Sequence, residues 1–250
     1  MFSIRSPFLM APVIDRPILV VTHGSPSEPA PQEEAVQALA ARLNQLMPDT
    51  MVRGATLASE GALDQAVRGL DRPIVCPWFM SDGWFVKTHL PKRLKAAGLS
   101  DWEATAPMGL MPGVARLMCD RIRLRIATLE WQMAQTTVIL AAHGSPSSSK
   151  PREATEAAAK ALAAQGAFKA VRPCYVDEPP AIRDVVSAVR GHAIVVPFFA
   201  VRAGHVTGDL PEELEAAQFA GPVLDPVGTW PETPALALAA ITALFGAQCV

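Results

Sequence analysis

The sequence predicts an α/β protein built as two similar, Rossmann-like parallel-sheet halves from an internal duplication, with a cleft between them. Three observations carry this expectation. The first is a repeat at a constant offset of 120 residues, a feature that fixes architecture before any local assignment is made. His23-Gly24-Ser25-Pro26-Ser27 falls on His143-Gly144-Ser145-Pro146-Ser147, "IVCPWF" (74–79) on "IVVPFF" (194–199), and "VKTHLPKRL" (86–94) on "VTGDLPEEL" (206–214). Toward the ends the offset becomes 119, where Pro107 and Gly109 match Pro226 and Gly228. The second is the order within each copy, short β-branched runs alternating with segments of helical period, which implies parallel strands joined by helices. The third is that the strand runs are apolar throughout instead of alternating, as in a sheet covered on both faces.

In the first copy, Ile18 to Val21 reads as a strand and Glu33 to Leu46 as a helix that ends before Pro48, because the residue before a proline is biased away from helical backbone. Met51 to Leu57 reads as a strand, Ala62 to Leu70 as a helix and Arg72 to Cys76 as a strand. A helix from Gly113 to Met133 is expected from the stripe Val114, Met118, Ile122, Ile126, Leu129 and Met133. "AQTT" (134–137) then links to the second copy, so residues 1–134 and 135–250 form the two expected halves.

Composition narrows the function classes. Half of the 250 residues are apolar and 18% are charged, which excludes the low-hydrophobicity, high-charge signature of disorder. Twenty-two Lys and Arg against 24 Asp and Glu leave a formal charge of −2, so no global field draws the chain to nucleic acid or to an anionic membrane. Cys76, Cys119, Cys174 and Cys249 form neither a C-x-x-C pair nor a disulfide framework and read as reduced, buried thiols. The apolar segment in "MFSIRSPFLMAPVIDR" is broken, and "PALALAAITALF" (234–245) falls short of the roughly 18 to 20 residues a membrane span requires. A soluble cytoplasmic protein, monomer or homodimer, is expected.

Both HGSPS phrases lie at the carboxyl ends of strands, the edge where parallel α/β sheets bind ligands. Taken singly, His-Gly-Ser has a plain structural use: an imidazole bonded to backbone, Gly for the turn and Ser as helix N-cap. The second copy adds chemistry, because His143 and His205 both sit in strand-end loops of one unit. Two neutral imidazoles can hold a borderline divalent ion such as Co²⁺, Fe²⁺, Ni²⁺ or Zn²⁺ and can take up protons near pH 7. Glu178 in "CYVDEPPAI" either adds a carboxylate on that rim or is a solvated loop acid. In the first copy, Phe85 stands where His205 would be and His89 stands at the position of Asp209, so that site reads as vestigial. His23 is then a structural relic, a rim residue facing the same cleft, or a ligand recruiting His89, in that order of preference. His192 reads as a surface turn residue.

The strand-H-G-S phrase, the later P-x-F, the G-H followed by "DLPEEL" and the final D-P-V-G together resemble the class II chelatases, over residues 17 to about 245. Within that family the chain is most similar to the sirohydrochlorin chelatases of the CbiX and SirB type, whose long members are internally duplicated. The resemblance implies two chelatase-like halves and insertion of a divalent metal into a tetrapyrrole without ATP, with no cofactor beyond the substrate metal ion. It maps the two family histidines onto His143 and His205, as metal-holding and catalytic groups, and the family's acid onto Glu178. Co²⁺ is the first expectation, with Fe²⁺ or Ni²⁺ as alternatives. Ser145, Trp84, Phe85 and Phe199, together with Trp78, Phe79, Met80 and Phe198, are candidates for walls around the macrocycle. Arg202, Arg183 and Lys87 are candidates for pairing with its carboxylates, although a solvated charge is the simpler reading of each. The alternatives are a sirohydrochlorin ferrochelatase and a non-catalytic tetrapyrrole or metal binder. A phosphate-binding enzyme is disfavoured by the lack of a G-x-G-x-x-G or G-x-x-x-x-G-K-[ST] motif.

Overall fold

A computed structural model describes residues 14–246. The expectations for the N-terminal apolar segment and for Cys249 lie outside the described residues. The first half runs β1 (Ile18–Thr22), α1 (Pro29–Leu46), β2 (Val52–Thr56), α2 (Ala62–Val67), β3 (Ile74–Pro77), α3 (Leu90–Ala96), β4 (Glu103–Ala104) and α4 (Val114–Thr128). The second runs β5 (Thr137–Ala142), α5 (Lys150–Gln165), β6 (Ala170–Tyr175), α6 (Ile182–Ala188), β7 (Ala193–Pro197), α7 (Leu210–Ala216) and α8 (Thr233–Gly246). All strand pairs are parallel, in the orders β2-β1-β3-β4 and β6-β5-β7. The β4 position of the second half is reduced to a bridge between Val195 and Val223.

The uninterrupted apolar strands are explained by what covers them. Ile18 and Val20 of β1, with Val138 and Leu140 of β5, face one shared core that also holds Trp78, Met118, Phe198, Trp230 and Ile241. Leu19 and Val21 face a separate outer cluster with Leu63, Val75, Leu90 and Leu94. Ile139 and Ala141 do the same with Ile182, Val195, Leu210 and Leu214. Side chains alternate along a strand, so a strand covered on both sides must be apolar at every position. The terminal helices complete the arrangement by crossing over: α4 packs on α5, and α8 packs on α1. Residues 14–134 and 135–246 therefore each own a sheet but share the core between them. A hydrogen bond from Trp78 Nε1 to the Gly228 carbonyl (3.2 Å) and an ion pair between Arg121 and Glu232 (2.8 Å) also join the halves.

Element limits depart from expectation where local chemistry intervenes. Helix α1 starts at Pro29, ahead of Glu33, since a proline in the first turn lacks an N–H that would have no partner there. Helix α4 stops at Thr128 instead of Met133. Glu130 turns left-handed (φ 55°) and the Trp131 N–H reaches back to the Ile126 carbonyl, a six-to-one closure that satisfies the helix end. Leu129 and Met133 thus lie off the helical stripe. Cys76, Cys119 and Cys174 are buried free thiols, and burial pushes Cys76 up to about 11 and Cys174 up to about 12. No described helix is long and apolar enough to cross a membrane.

Candidate active site

Strands β1 and β5 are the middle strands of their sheets, so the residues that follow them, His23 and His143, emerge at the centre of each carboxyl edge. In each phrase the glycine is required. Gly24 (φ 77°) and Gly144 (φ 75°) are left-handed, and an added Cβ would lie 2.8 Å from Thr56 Cβ in one case and 2.7 Å from Glu178 Cγ in the other. The turn folds the chain sharply from strand into the serine-rich approach to α1 or α5.

The second rim loops, expected simply as strand-end loops, contain π turns. Phe85–His89 and His205–Asp209 each form a π turn, closed by the Leu90 N–H on the Phe85 carbonyl and the Leu210 N–H on the His205 carbonyl. Such wide turns recur at functional sites. Here the turn brings His205 Nδ1 within 2.5 Å of Asp209 Oδ2.

The two halves enclose a cleft of about 940 Å³. On one wall the rings of His143 and His205 meet with centroids 4.0 Å apart at 74°. His143 Nδ1 lies 3.2 Å from Asp177 Oδ2 and 3.0 Å from the carbonyl of Gly144. His205 is thus engaged at Nδ1 by a carboxylate and His143 by the Gly144 carbonyl with Asp177 alongside, arrangements that fix ring orientation and leave Nε2 as the lone pair for a ligand. The opposite wall is aromatic: Trp84 (59% exposed) and Phe85 line the cleft together with His23, Met80 and Phe79. Among the described residues no three His, Cys, Asp or Glu side chains converge on one point. The histidine pair is an open, two-imidazole arrangement.

The other sequence candidates divide. Ser145 lines the cleft, its Oγ 3.3 Å from that of Ser147. Glu178 does not line it. Its side chain is 12% exposed, Oε1 accepts the Ser145 N–H (3.0 Å), and Oε2 accepts Arg152 Nε and Nη2 (2.9 and 2.6 Å). Both oxygens brace the loop, and the acid beside the imidazole is its neighbour Asp177, a residue outside the sequence candidates. Residues 176–180 form a bend after β6, so no periodicity in the sequence tells which of the adjacent acids Asp177 and Glu178 faces the imidazole. Phe199 is buried (8% exposed) and lies away from the cleft; Trp78 and Phe198 belong to the shared core. The three rim cations already have carboxylate partners: Arg202 with Asp225, Arg183 with Glu213 (3.0 Å) and Lys87 with Asp82 (2.6 Å). None of them lines the cleft, which agrees with the simpler reading of exposed charge.

His23 is a rim residue of the same cleft, the second of its three expected readings. Its ring packs on Phe85 at 4.2 Å, and Phe85 in turn meets His89 at 5.6 Å, so a phenyl group stands between the two imidazoles. His89 stacks on Trp84 (4.9 Å). Burial above all, then the charges of Arg93, His23 and Lys92, hold its imidazole below the ordinary histidine value. The repeat accounts for the asymmetry: Asp177, Glu178, His205 and Asp209 correspond to Leu57, Ala58, Phe85 and His89. His192 is an exposed turn residue, as expected, with its ring stacked on Trp131 (4.1 Å).

Comparison with known proteins is consistent with this geometry. The family model CbiX matches twice, over residues 17–124 and 137–242. A structure of CbiX described as the terminal enzyme for biosynthesis of siroheme in denitrifying bacteria superimposes with a TM-score of 0.84 at 42% identity, over 91% of this chain and 99% of that one. DR2241 from Deinococcus radiodurans, described as a multi-domain protein with structural similarity to chelatases, gives 0.70 at 25% identity, over 90% of this chain and 54% of its own. The sirohydrochlorin chelatase SirB from Bacillus subtilis subspecies spizizenii, in complex with cobalt, gives 0.68 at 19% identity over 94% and 98%, a likeness of fold. A search of curated proteins found no match.

Proposed function

The chain belongs to the CbiX family, and from that premise we propose that it is a lyase that inserts a divalent metal ion, Co²⁺ first, into sirohydrochlorin without ATP. The observation that supports this most directly is the pair of imidazoles 4.0 Å apart on one wall of a cleft whose other wall is aromatic. Metal insertion requires stripping water from the ion and removing two pyrrole N–H protons. Nε2 of His143 and of His205 can hold the ion, while Asp177 and Asp209 keep each ring oriented from behind. An imidazole can accept a proton as well as bind a metal, which suits the proton transfers. A site closed by three or four protein ligands would retain its ion, whereas two imidazoles leave positions open for the ring nitrogens. Trp84 and Phe85 offer flat apolar surface to the macrocycle. Holding ring and ion in register makes the encounter nearly unimolecular.

Fe²⁺ is a second reading of the metal, favoured because the 42%-identical CbiX is described as a siroheme-forming enzyme. Imidazole and carboxylate donors rank the divalent ions broadly alike, so the comparison must be kinetic. Chelation assayed with sirohydrochlorin and either Co²⁺ or Fe²⁺ tests both points. His143→Ala and His205→Ala are each expected to lose about 100-fold or more in kcat/KM. No turnover by the wild-type protein with either metal would overturn the enzyme reading in favour of a tetrapyrrole or metal binder.

A further inference from the structure

The net charge of −2 conceals an opposition between the duplicated halves. In residues 77–100 one acid, Asp82, stands with four bases, Lys87, Lys92, Arg93 and Lys95; in the equivalent residues 197–220 one base, Arg202, stands with four acids, Asp209, Glu212, Glu213 and Glu215. The formal charge is +3 in one and −3 in the other. Helix by helix the reversal is position for position, Lys92, Arg93 and Lys95 in α3 against Glu212, Glu213 and Glu215 in α7.

Both helices adjoin the cleft. Helix α3 starts directly after the π turn that carries Phe85, and α7 directly after the one that carries His205 and Asp209. Seven residues at 1.5 Å each span about 10 Å, which is about one Debye length at 0.1 M ionic strength and well within it at lower salt. Five of the six helix charges are uncompensated, Glu213 being paired with Arg183. Lys92, Lys95, Glu212 and Glu215 are exposed and make no ion pair among the described residues, and Arg93 donates to the Leu57 carbonyl, which leaves its charge in place. The positive field extends into the turn, since Arg93 and Lys92 both act to hold His89 below its ordinary value. The rim cations Arg202, Arg183 and Lys87 are paired with Asp225, Glu213 and Asp82.

Resting on the chelatase reading, we propose that the basic face of α3 is the approach surface for the polycarboxylate macrocycle, while the acidic face of α7 turns it away. The anionic ring then enters over the N-terminal half, and the side bearing His143 and His205 is left to the cation. This assigns the N-terminal half, which lacks the second histidine, a part in substrate capture. Steering of this kind raises association rates by about 10- to 1,000-fold and fades with added salt.

The test uses metal-free sirohydrochlorin mixed rapidly with the full-length protein, followed by quenching of tryptophan fluorescence, for which Trp84 in the cleft is a reporter. At about 20 mM salt, where screening is weak, Lys92→Glu with Lys95→Glu is expected to slow association about 10-fold, and Glu212→Lys with Glu215→Lys to speed it by a similar factor. Both variants should return to the wild-type rate at about 500 mM salt, with dissociation rates and circular dichroism unchanged. Association rates within about twofold of wild type for both variants at low salt, or a wild-type rate indifferent to salt, would overturn the steering proposal while leaving the chelatase reading in place. Failure of the wild-type protein to bind sirohydrochlorin under any salt condition would remove the premise and the proposal together.

Discussion

His143 and His205 are useful because of what stands behind them. An imidazole bonded at Nδ1 to a carboxylate keeps its tautomer and direction through a reaction cycle, and loss of such a partner commonly weakens metal affinity or activity by about 10- to 100-fold. Asp177 and Glu178 are adjacent in sequence yet have different work, and the difference is measurable. Asp177→Ala is expected to lower kcat by about 10-fold with little change in the urea midpoint, since its carboxylate is part-exposed and touches one ring. Glu178→Ala is expected to lower stability by about 1–3 kcal/mol, because it leaves the Ser145 N–H without its partner and removes two of the hydrogen bonds of the Arg152 guanidinium. Urea titration beside steady-state kinetics separates the two, and a purely catalytic loss from Glu178→Ala would contradict the bracing role.

The elements that carry the chemistry are short: a glycine turn after β1 and after β5, and a π turn in the segment after β3 and after β7. Gly144→Ala must place a side chain in left-handed backbone, which costs about 1–2 kcal/mol by itself, and must also displace Glu178. A total loss above about 2 kcal/mol is expected, read from the urea midpoint, and a smaller effect would mean that the loop relaxes freely. The strands and long helices were legible in the sequence because burial on both faces and helical periodicity leave strong patterns. The π turns were not, since no residue pattern distinguishes an i to i+5 closure from an ordinary helix start, and the pairing of His205 with Asp209 became visible once the turn was built.

At the scale of the molecule, the duplication yields two sheets but one shared core, because α4 and α8 each lie against the other half. Neither half can bury its inner strand face alone. Thermal or urea unfolding is therefore expected as one cooperative transition, with circular dichroism and tryptophan fluorescence coincident, and the fragment 135–250 is expected to show no cooperative transition. Two resolved transitions would mean that the halves are stable units on their own.

The amino-acid sequence determined the architecture and the chemistry of the rim, since a repeat at fixed offset, doubly apolar strands and two imidazoles at strand ends are all properties of order along the chain. Tertiary structure decided which neighbours those imidazoles have: Asp177 in place of Glu178 beside His143, a phenyl ring between His23 and His89, Phe199 turned into the interior, and Arg202 tied to Asp225. The physical reason is that the bend after β6 sets which of two adjacent side chains meets the imidazole, and the partner of a charge is set by distances between segments far apart in the chain.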